Sequence, residues 1–209
     1  MSVLARLASS QGRRDDVPNQ ELARELAETR DEAAIRELVA HLQDQDRNIQ
    51  SDCIKTLYEI GYLAPDLIAP YAEDFLALLS SRNNRMVWGG MIALATIAAL
   101  RAPFLFDHRQ EIQQAIEKGS VITVDRGIRA LATVAAQDDA YRRKLFPYLL
   151  DHLRTCRPKD LPGRAEGVLV AVDEAHRDAF ISVLEQRMPD MRPSQVKRLK
   201  KVIAKAGER

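Results

Sequence analysis

A seven-residue segment recurs almost unchanged further along the chain, and this repeat constrains the fold more than any other feature. Residues 93–99 read ALATIAA and residues 130–136 read ALATVAA, an offset of 37 positions. The apolar residues around the segment keep this offset, with helical spacing, in three successive stretches. They are Ile54, Leu57 and Ile60, then Met91, Leu94 and Ile97, then Ile128, Leu131 and Val134. A helical repeat of this length is typical of an α-solenoid, in which stacked helix pairs bury a shared apolar seam.

Turn-forming and helix-breaking residues divide the repeats into alternating helices. The predicted helices span residues 20–29, 32–43, 48–63, 67–80, 84–101, 107–118, 121–136, 140–155, 163–175, 177–187 and 193–206. No stretch combines alternating polarity with an excess of β-branched residues, so no sheet is expected. The sequence therefore predicts an all-α fold of about five helix pairs.

The same period predicts the domain organisation. Residues 1–30 would form an N-terminal segment with a capping helix, and residues 31–209 a repeat domain. The repeat units are predicted at about 31–66, 67–104, 105–139, 140–176 and 177–209. In three units a small residue precedes the repeated leucine by four positions: Cys53, Gly90 and Gly127. Because glycine inside a helix costs about 1 kcal/mol relative to alanine, its repeated use predicts close contact between helices.

Two of the predicted first helices carry an internal proline, in residues 67–71 (LIAPY) and 145–150 (LFPYLL). Asp44 and Asp46 lie in the first turn between paired helices. In these features the chain resembles divergent HEAT repeats, of the ARM/HEAT type, over about residues 31–207. The resemblance implies a right-handed α-solenoid with a short N-terminal helical cap, in which the second (B) helix of each pair lines a concave surface.

The chain departs from the HEAT pattern at the start of each B helix. The family has a Val-Arg pair there, whereas this chain has residues 49–50 (IQ), 86–87 (MV) and 123–124 (TV). Only Arg164, in the fourth unit, could match the family arginine. The Asp–Arg ladder that links neighbouring HEAT repeats is therefore mostly missing, and the resemblance implies an architecture rather than a particular function.

The composition is typical of a soluble globular chain, with 46% hydrophobic and 29% charged residues. Two cysteines, Cys53 and Cys156, exclude a disulfide framework. No apolar run approaches the roughly 20 residues that span a bilayer. The apolar stretch at the N-terminus is too short for a secretory signal. We therefore expect a cytoplasmic protein without a membrane segment.

Charge is unevenly distributed, although the net charge is only +1. Residues 15–74 carry fifteen acidic and five basic residues, whereas residues 75–209 carry fifteen acidic and twenty-three basic ones. The last nineteen residues hold seven bases and one acid. Such separation bears on partners rather than on the fold. It reflects either solvated helix faces or a preference of the C-terminal half for an acidic partner segment.

The common catalytic and cofactor motifs are absent from the sequence: a Gly-rich phosphate loop, His-Glu-x-x-His, Gly-x-Ser-x-Gly and Cys-x-x-Cys. His152 and Cys156 share one helix face, but a structural zinc site needs about four ligands. An ordinary helix end is therefore the preferred interpretation of this pair. We predict no enzyme activity, no metal and no cofactor.

Trp88, the only tryptophan, stands at the start of a B helix. It either packs between repeats or lies exposed in the concave groove, where its equivalents are Ser51 and Asp125. Tryptophan and arginine dominate the binding energy of protein interfaces, so Trp88 and the charged residues of the B helices are the candidates for partner binding. They are Arg85, Trp88, Asp125, Arg126, Arg129, Arg164, Lys197, Lys200 and Lys201.

These observations favour a non-enzymatic protein–protein interaction or scaffold module that binds a protein partner along the concave B-helix surface. HEAT-like DNA glycosylases for alkylated bases suggest nucleic-acid binding or repair as an alternative, but a single tryptophan and a net charge near zero argue against it. A third alternative is salt-dependent head-to-tail self-assembly of an acidic and a basic end. The sequence does not indicate the oligomeric state.

Overall fold

The computed structural model describes residues 2–208, and every regular element within them is a helix. The α-helices are α1 (Val17–Thr29), α2 (Glu32–Ala40), α3 (Arg47–Leu63), α4 (Pro65–Ile68), α5 (Ala72–Ala77), α6 (Asn84–Ile97), α7 (Ala102–Asp107), α8 (Arg109–Lys118), α9 (Val121–Ala135), α10 (Asp139–Thr155), α11 (Leu161–Val168), α12 (Glu174–Arg187) and α13 (Pro193–Gly207). Short 3-10 helices lie at Val3–Arg6, His41–Gln43, Ala69–Tyr71, Leu78–Ser80, Leu169–Ala171 and Met188–Asp190. The prediction of an all-α fold is confirmed.

Polar side chains at the N-cap positions explain where several helices begin. Asp31, Asp46 and Asn83 accept hydrogen bonds from backbone N–H groups in the first turns of α2, α3 and α6. Asp138 and Asp173 do the same for α10 and α12. A cap of this kind contributes about 1 kcal/mol because it satisfies a donor that has no partner inside the helix. The starts of these helices are therefore set by local sequence.

Prolines account for the main differences between the predicted and observed helices. The predicted helix 67–80 is interrupted at Pro70, which has no N–H to donate and adopts a 3-10 turn instead. The predicted helix 84–101 ends at Ile97. Pro103 then lies in the first turn of α7, a helix that the sequence pattern does not predict. Proline is well tolerated there because its missing N–H would have no partner in the helix.

Helix packing divides the chain into two compact units, and the division falls within α9, between Gly127 and Ile128. In the first unit α3 packs against α1, α2 and α6, and α6 packs against α5. In the second unit α10 packs against α11 and α12, both of which pack against α13. The repeated leucines Leu57 and Leu94 are fully buried in the first unit and Leu131 in the second. The predicted repeat boundaries stay a prediction.

The repeated small residues mark close contacts between helices, as the sequence predicts. A Cβ atom at Gly90 of α6 would lie 2.8 Å from the backbone oxygen of Phe75 in α5. A Cβ atom at Gly127 of α9 would lie 2.5 Å from Cγ1 of Ile116 in α8. Cys53 is fully buried. The two glycines therefore allow an approach between paired helices that any larger residue would prevent.

Replacement of Gly90 by alanine is expected to destabilise the protein, although alanine is the better helix former. The added methyl group would meet a backbone atom, and we expect the overpacking to outweigh the gain in helix propensity by about 1–2 kcal/mol. Gly167→Ala in α11 is the matched control, since the nearest atom would be 3.9 Å from its Cβ. That change should leave stability equal or raise it by up to about 1 kcal/mol. Urea unfolding followed by circular dichroism measures both, and a Gly90→Ala protein as stable as wild type would contradict the close contact.

A buried polar network holds the N-terminal segment on α3. Asp52 accepts hydrogen bonds from the backbone N–H of Ser9 (2.8 Å) and from the side-chain amide of Asn19 (2.8 Å). The Asn19 side chain is fully buried and accepts a hydrogen bond from the N–H of Ala8 (3.0 Å). The N-terminal region therefore includes ordered residues ahead of α1, among them the 3-10 helix Val3–Arg6, which the sequence pattern does not predict.

Candidate partner-binding surfaces

Trp88 lies in the first turns of α6 and is half-buried. Its ring packs against Tyr58 of α3, with 6.2 Å between the ring centroids. The ring also has a cation over it, because the guanidinium carbon of Arg85 lies 5.2 Å from the centre of the Trp88 ring. The ring therefore packs against a neighbouring helix and still keeps part of its area exposed.

Two tyrosines of α3 extend this contact into a row of rings. Tyr58 is 6% exposed and its ring lies 6.2 Å, edge to face, from that of Tyr62. Tyr62 is 48% exposed, and the guanidinium carbon of Arg126 lies 5.9 Å from its centre. We call Tyr58, Tyr62, Trp88, Arg85 and Arg126 the aromatic strip. Each cation over a ring at such a site contributes about 0.5–1 kcal/mol, which helps to hold the arginine side chains against the rings.

A buried lysine, Lys55, lies beside the aromatic strip. The Lys55 ammonium, on the same helix as the tyrosines, lies 5.0 Å from the Tyr58 ring centre and 2.7 Å from a Glu59 carboxylate oxygen. Burial alone would lower the pKa of Lys55, but hydrogen bonding, chiefly to Glu59, outweighs it and the pKa is raised. Asp16 lies 3.3 Å from Lys55 and 3.8 Å from Arg85. Two carboxylates therefore balance the positive charge of Lys55 beside the Tyr58 ring.

The structure brings three of the predicted contact residues, Arg85, Trp88 and Arg126, into the aromatic strip. Asp125 is exposed on α9, next to Arg126 in the chain. The remaining exposed candidates belong to the second unit: Arg129, Lys197, Lys200 and Lys201. Sequence reasoning misses Tyr58 and Tyr62. Their spacing of four residues on one helix face was the available signal, but it does not distinguish core aromatics from surface ones.

Arg164 requires a correction, because the structure buries it. Only 7% of the residue is exposed. One terminal nitrogen of its guanidinium lies 3.6 Å from the Asp160 carboxylate and the other 2.9 Å from Nε2 of His152. An arginine held in this way connects α10 and α11, so it is removed from the set of partner-binding candidates. The same contact gives the His152 side chain a protein partner.

Neither cysteine is suited to chemistry at a surface. Cys53 and Cys156 are both buried, and burial raises the pKa of the Cys53 thiol to about 12 and also raises that of Cys156. A thiol with so high a pKa is a poor nucleophile at neutral pH. Among residues 2–208, no three His, Cys, Asp or Glu side chains lie close enough together to hold a metal ion. In the same part of the chain, no helix is both long and apolar enough to cross a bilayer.

Comparison with known proteins finds matches among solved structures only; no family model and no curated protein matches the chain. An engineered protein is similar over 100% of this chain and 98% of its own, with a TM-score of 0.66 and 18% identity. A designed armadillo repeat protein in complex with the peptide (KR)4 is similar over 90% of this chain and 86% of its own, with a TM-score of 0.67 and 14% identity. Kap121p bound to Pho4p is similar over 90% of this chain and 21% of its own, with a TM-score of 0.64 and 13% identity.

These similarities define the class of fold. The fold of this chain is of the divergent ARM/HEAT helical-repeat type, and the predicted all-α solenoid class is confirmed.

Proposed function

We propose that this protein is a non-enzymatic interaction module that binds a protein segment along its B helices, with the aromatic strip as the main contact in the first unit. The observation that carries the proposal is a pair of partly exposed rings, Tyr62 and Trp88, each with a guanidinium group over it, from Arg126 and Arg85 respectively. Tyrosine, tryptophan and arginine are the residues that most often dominate interface energy, because they bury large area at low entropic cost.

The solved structures with similar folds support the same use. One is in complex with the peptide (KR)4 and another is bound to Pho4p, so two proteins of this architecture hold a peptide or protein partner. The candidate surface of this chain offers aromatic rings and guanidinium groups. We therefore expect a partner segment that places an apolar side chain against the rings. A non-enzymatic role and a cytoplasmic location remain parts of this proposal.

Capture of partners from a native extract tests the aromatic strip. Trp88→Ala with Arg126→Glu, and Arg126→Glu alone in case the tryptophan affects folding, should lose a partner that wild type retains. Loss of two interface anchors should cost at least about 2 kcal/mol, roughly thirtyfold in Kd. Leu100→Ala with Arg36→Glu is the matched control, because both residues are exposed in the same unit and the charge change is equal.

The single tryptophan allows a direct second readout. Titration of the purified partner into the wild-type protein should change the fluorescence of Trp88 and give a Kd, which Arg126→Glu should raise. Partners that bind the strip variants as well as they bind wild type, with no change in tryptophan fluorescence, would place the interface elsewhere and overturn the proposal.

A further inference from the structure

The last helix carries a strong and largely unpaired positive charge. α13 contains five basic residues and no acidic residue. Within the described residues, Arg198 forms an ion pair with Glu166 of α11, with two contacts of 2.5 Å, whereas Lys201 and Lys205 have no ion-pair partner. Spacings of three and seven residues place Arg198, Lys201 and Lys205 on one face of the helix. All three are exposed.

The neighbouring helix α11 has two glycines, and each lies beside a basic side chain of another helix. A Cβ atom at Gly163 would have Arg198 Nη2 as its nearest neighbour, at 3.7 Å, and one at Gly167 would have the Cβ of Arg129, at 3.9 Å. Neither glycine is therefore required by tight packing, in contrast to Gly90. Arg129 is exposed and has no ion-pair partner in the described part of the chain. We call Gly163, Gly167, Arg129, Arg198, Lys201 and Lys205 the basic groove.

The chain itself shows that the basic groove stabilises a carboxylate. The hydrogen bond from Arg198 and the positive charges of Arg198 and Lys205 lower the pKa of Glu166, in spite of some loss of solvation. Four cations against this one carboxylate leave an excess of positive charge. The charge is also local, because residues 128–209 carry seventeen bases and eleven acids, whereas residues 1–127 carry fourteen bases and nineteen acids.

We propose that the basic groove binds an acidic, extended protein segment, whose carboxylates pair with Arg129, Lys201 and Lys205 while its backbone lies over Gly163 and Gly167. Single-stranded nucleic acid fits less well, since α11 and α13 contain no aromatic residue on which a base could stack. The basic groove shares no residue with the aromatic strip, so an experiment can reject one proposal and leave the other standing.

Fluorescence anisotropy with the full chain tests this proposal, using a short fluorescein-labelled peptide of alternating Glu and Gly residues. The wild-type protein should bind the peptide with an affinity that falls as salt rises. K201E with K205E should weaken binding at least about tenfold, because two attractive contacts become repulsive. E166Q should strengthen binding a few-fold, since it removes the internal carboxylate that competes for Arg198. R129E should also weaken binding, because it reverses the charge next to Gly167.

Matched controls distinguish binding at the basic groove from a nonspecific attraction of the acidic peptide to any positive charge. K144E with K159E makes the same charge change at two exposed lysines of the same unit and should stay within about twofold of wild type. The aromatic-strip variant should bind the acidic peptide as wild type does. Three results would overturn the proposal: no binding of the peptide, equal loss in both double variants, or tighter binding of a DNA duplex that is lost in K201E with K205E.

Discussion

Replacement of Leu94 by alanine is expected to lower the free energy of unfolding by about 3–5 kcal/mol. Leu94 is fully buried in α6 at the position that the internal repeat assigns to the apolar seam. The helices around it, α3 and α5, each have further contacts of their own, so we expect them to close only part of the resulting cavity. The cost therefore combines the lost transfer energy with that of the residual cavity. Thermal and urea unfolding followed by circular dichroism measure the change.

Leu100→Ala is the control for this experiment. Leu100 follows α6 in the same unit but is 53% exposed, so its replacement should change stability by no more than about 0.5 kcal/mol. Equal effects of the two substitutions would mean that the repeated leucines do not form the core, and the repeat interpretation would fail with them.

Replacement of Asp52 by alanine is expected to cost about 2–4 kcal/mol and to release the N-terminal segment. The substitution would leave the amide of Asn19 and the N–H of Ser9 without the acceptor that both now use. Asn19 is fully buried, so water cannot readily replace the lost hydrogen bond. Urea unfolding measures the stability. Limited proteolysis measures the release, because cleavage within residues 10–16 should become faster.

Asp151→Ala provides the comparison for a surface carboxylate. Asp151 forms an ion pair with Arg154, and the Asp151 side chain is 76% exposed. Exposed pairs of this kind contribute about 0–1 kcal/mol to stability. The Asp151 variant should therefore unfold almost as wild type does and keep its N-terminal region protected. Unchanged proteolysis in the Asp52 variant would show that apolar contacts alone hold the segment.

The two proposed surfaces differ in how well the sequence could reveal them. Arg85, Trp88 and Arg126 were predicted as candidates because B-helix positions follow from the repeat. Their partners Tyr58 and Tyr62 were not, since a tyrosine pair on one helix face fits a core as well as a surface. In the second unit the basic character of α13 is plain from composition, whereas the open backbone at Gly163 depends on what the neighbouring helix places opposite it.

The helices, their order and most of their limits follow from short-range information. N-cap side chains, prolines and apolar spacing act within one or two helical turns, so a single chain segment carries all that is needed to read them. Whether a polar side chain is buried or exposed does not follow from such short-range information. Arg164 and Asp52 are buried in networks, whereas Arg126 and Lys201 reach solvent, and nothing in their own segments distinguishes the two pairs. Their burial depends on which groups a distant helix brings within hydrogen-bond distance, and that is settled only when the helices pack.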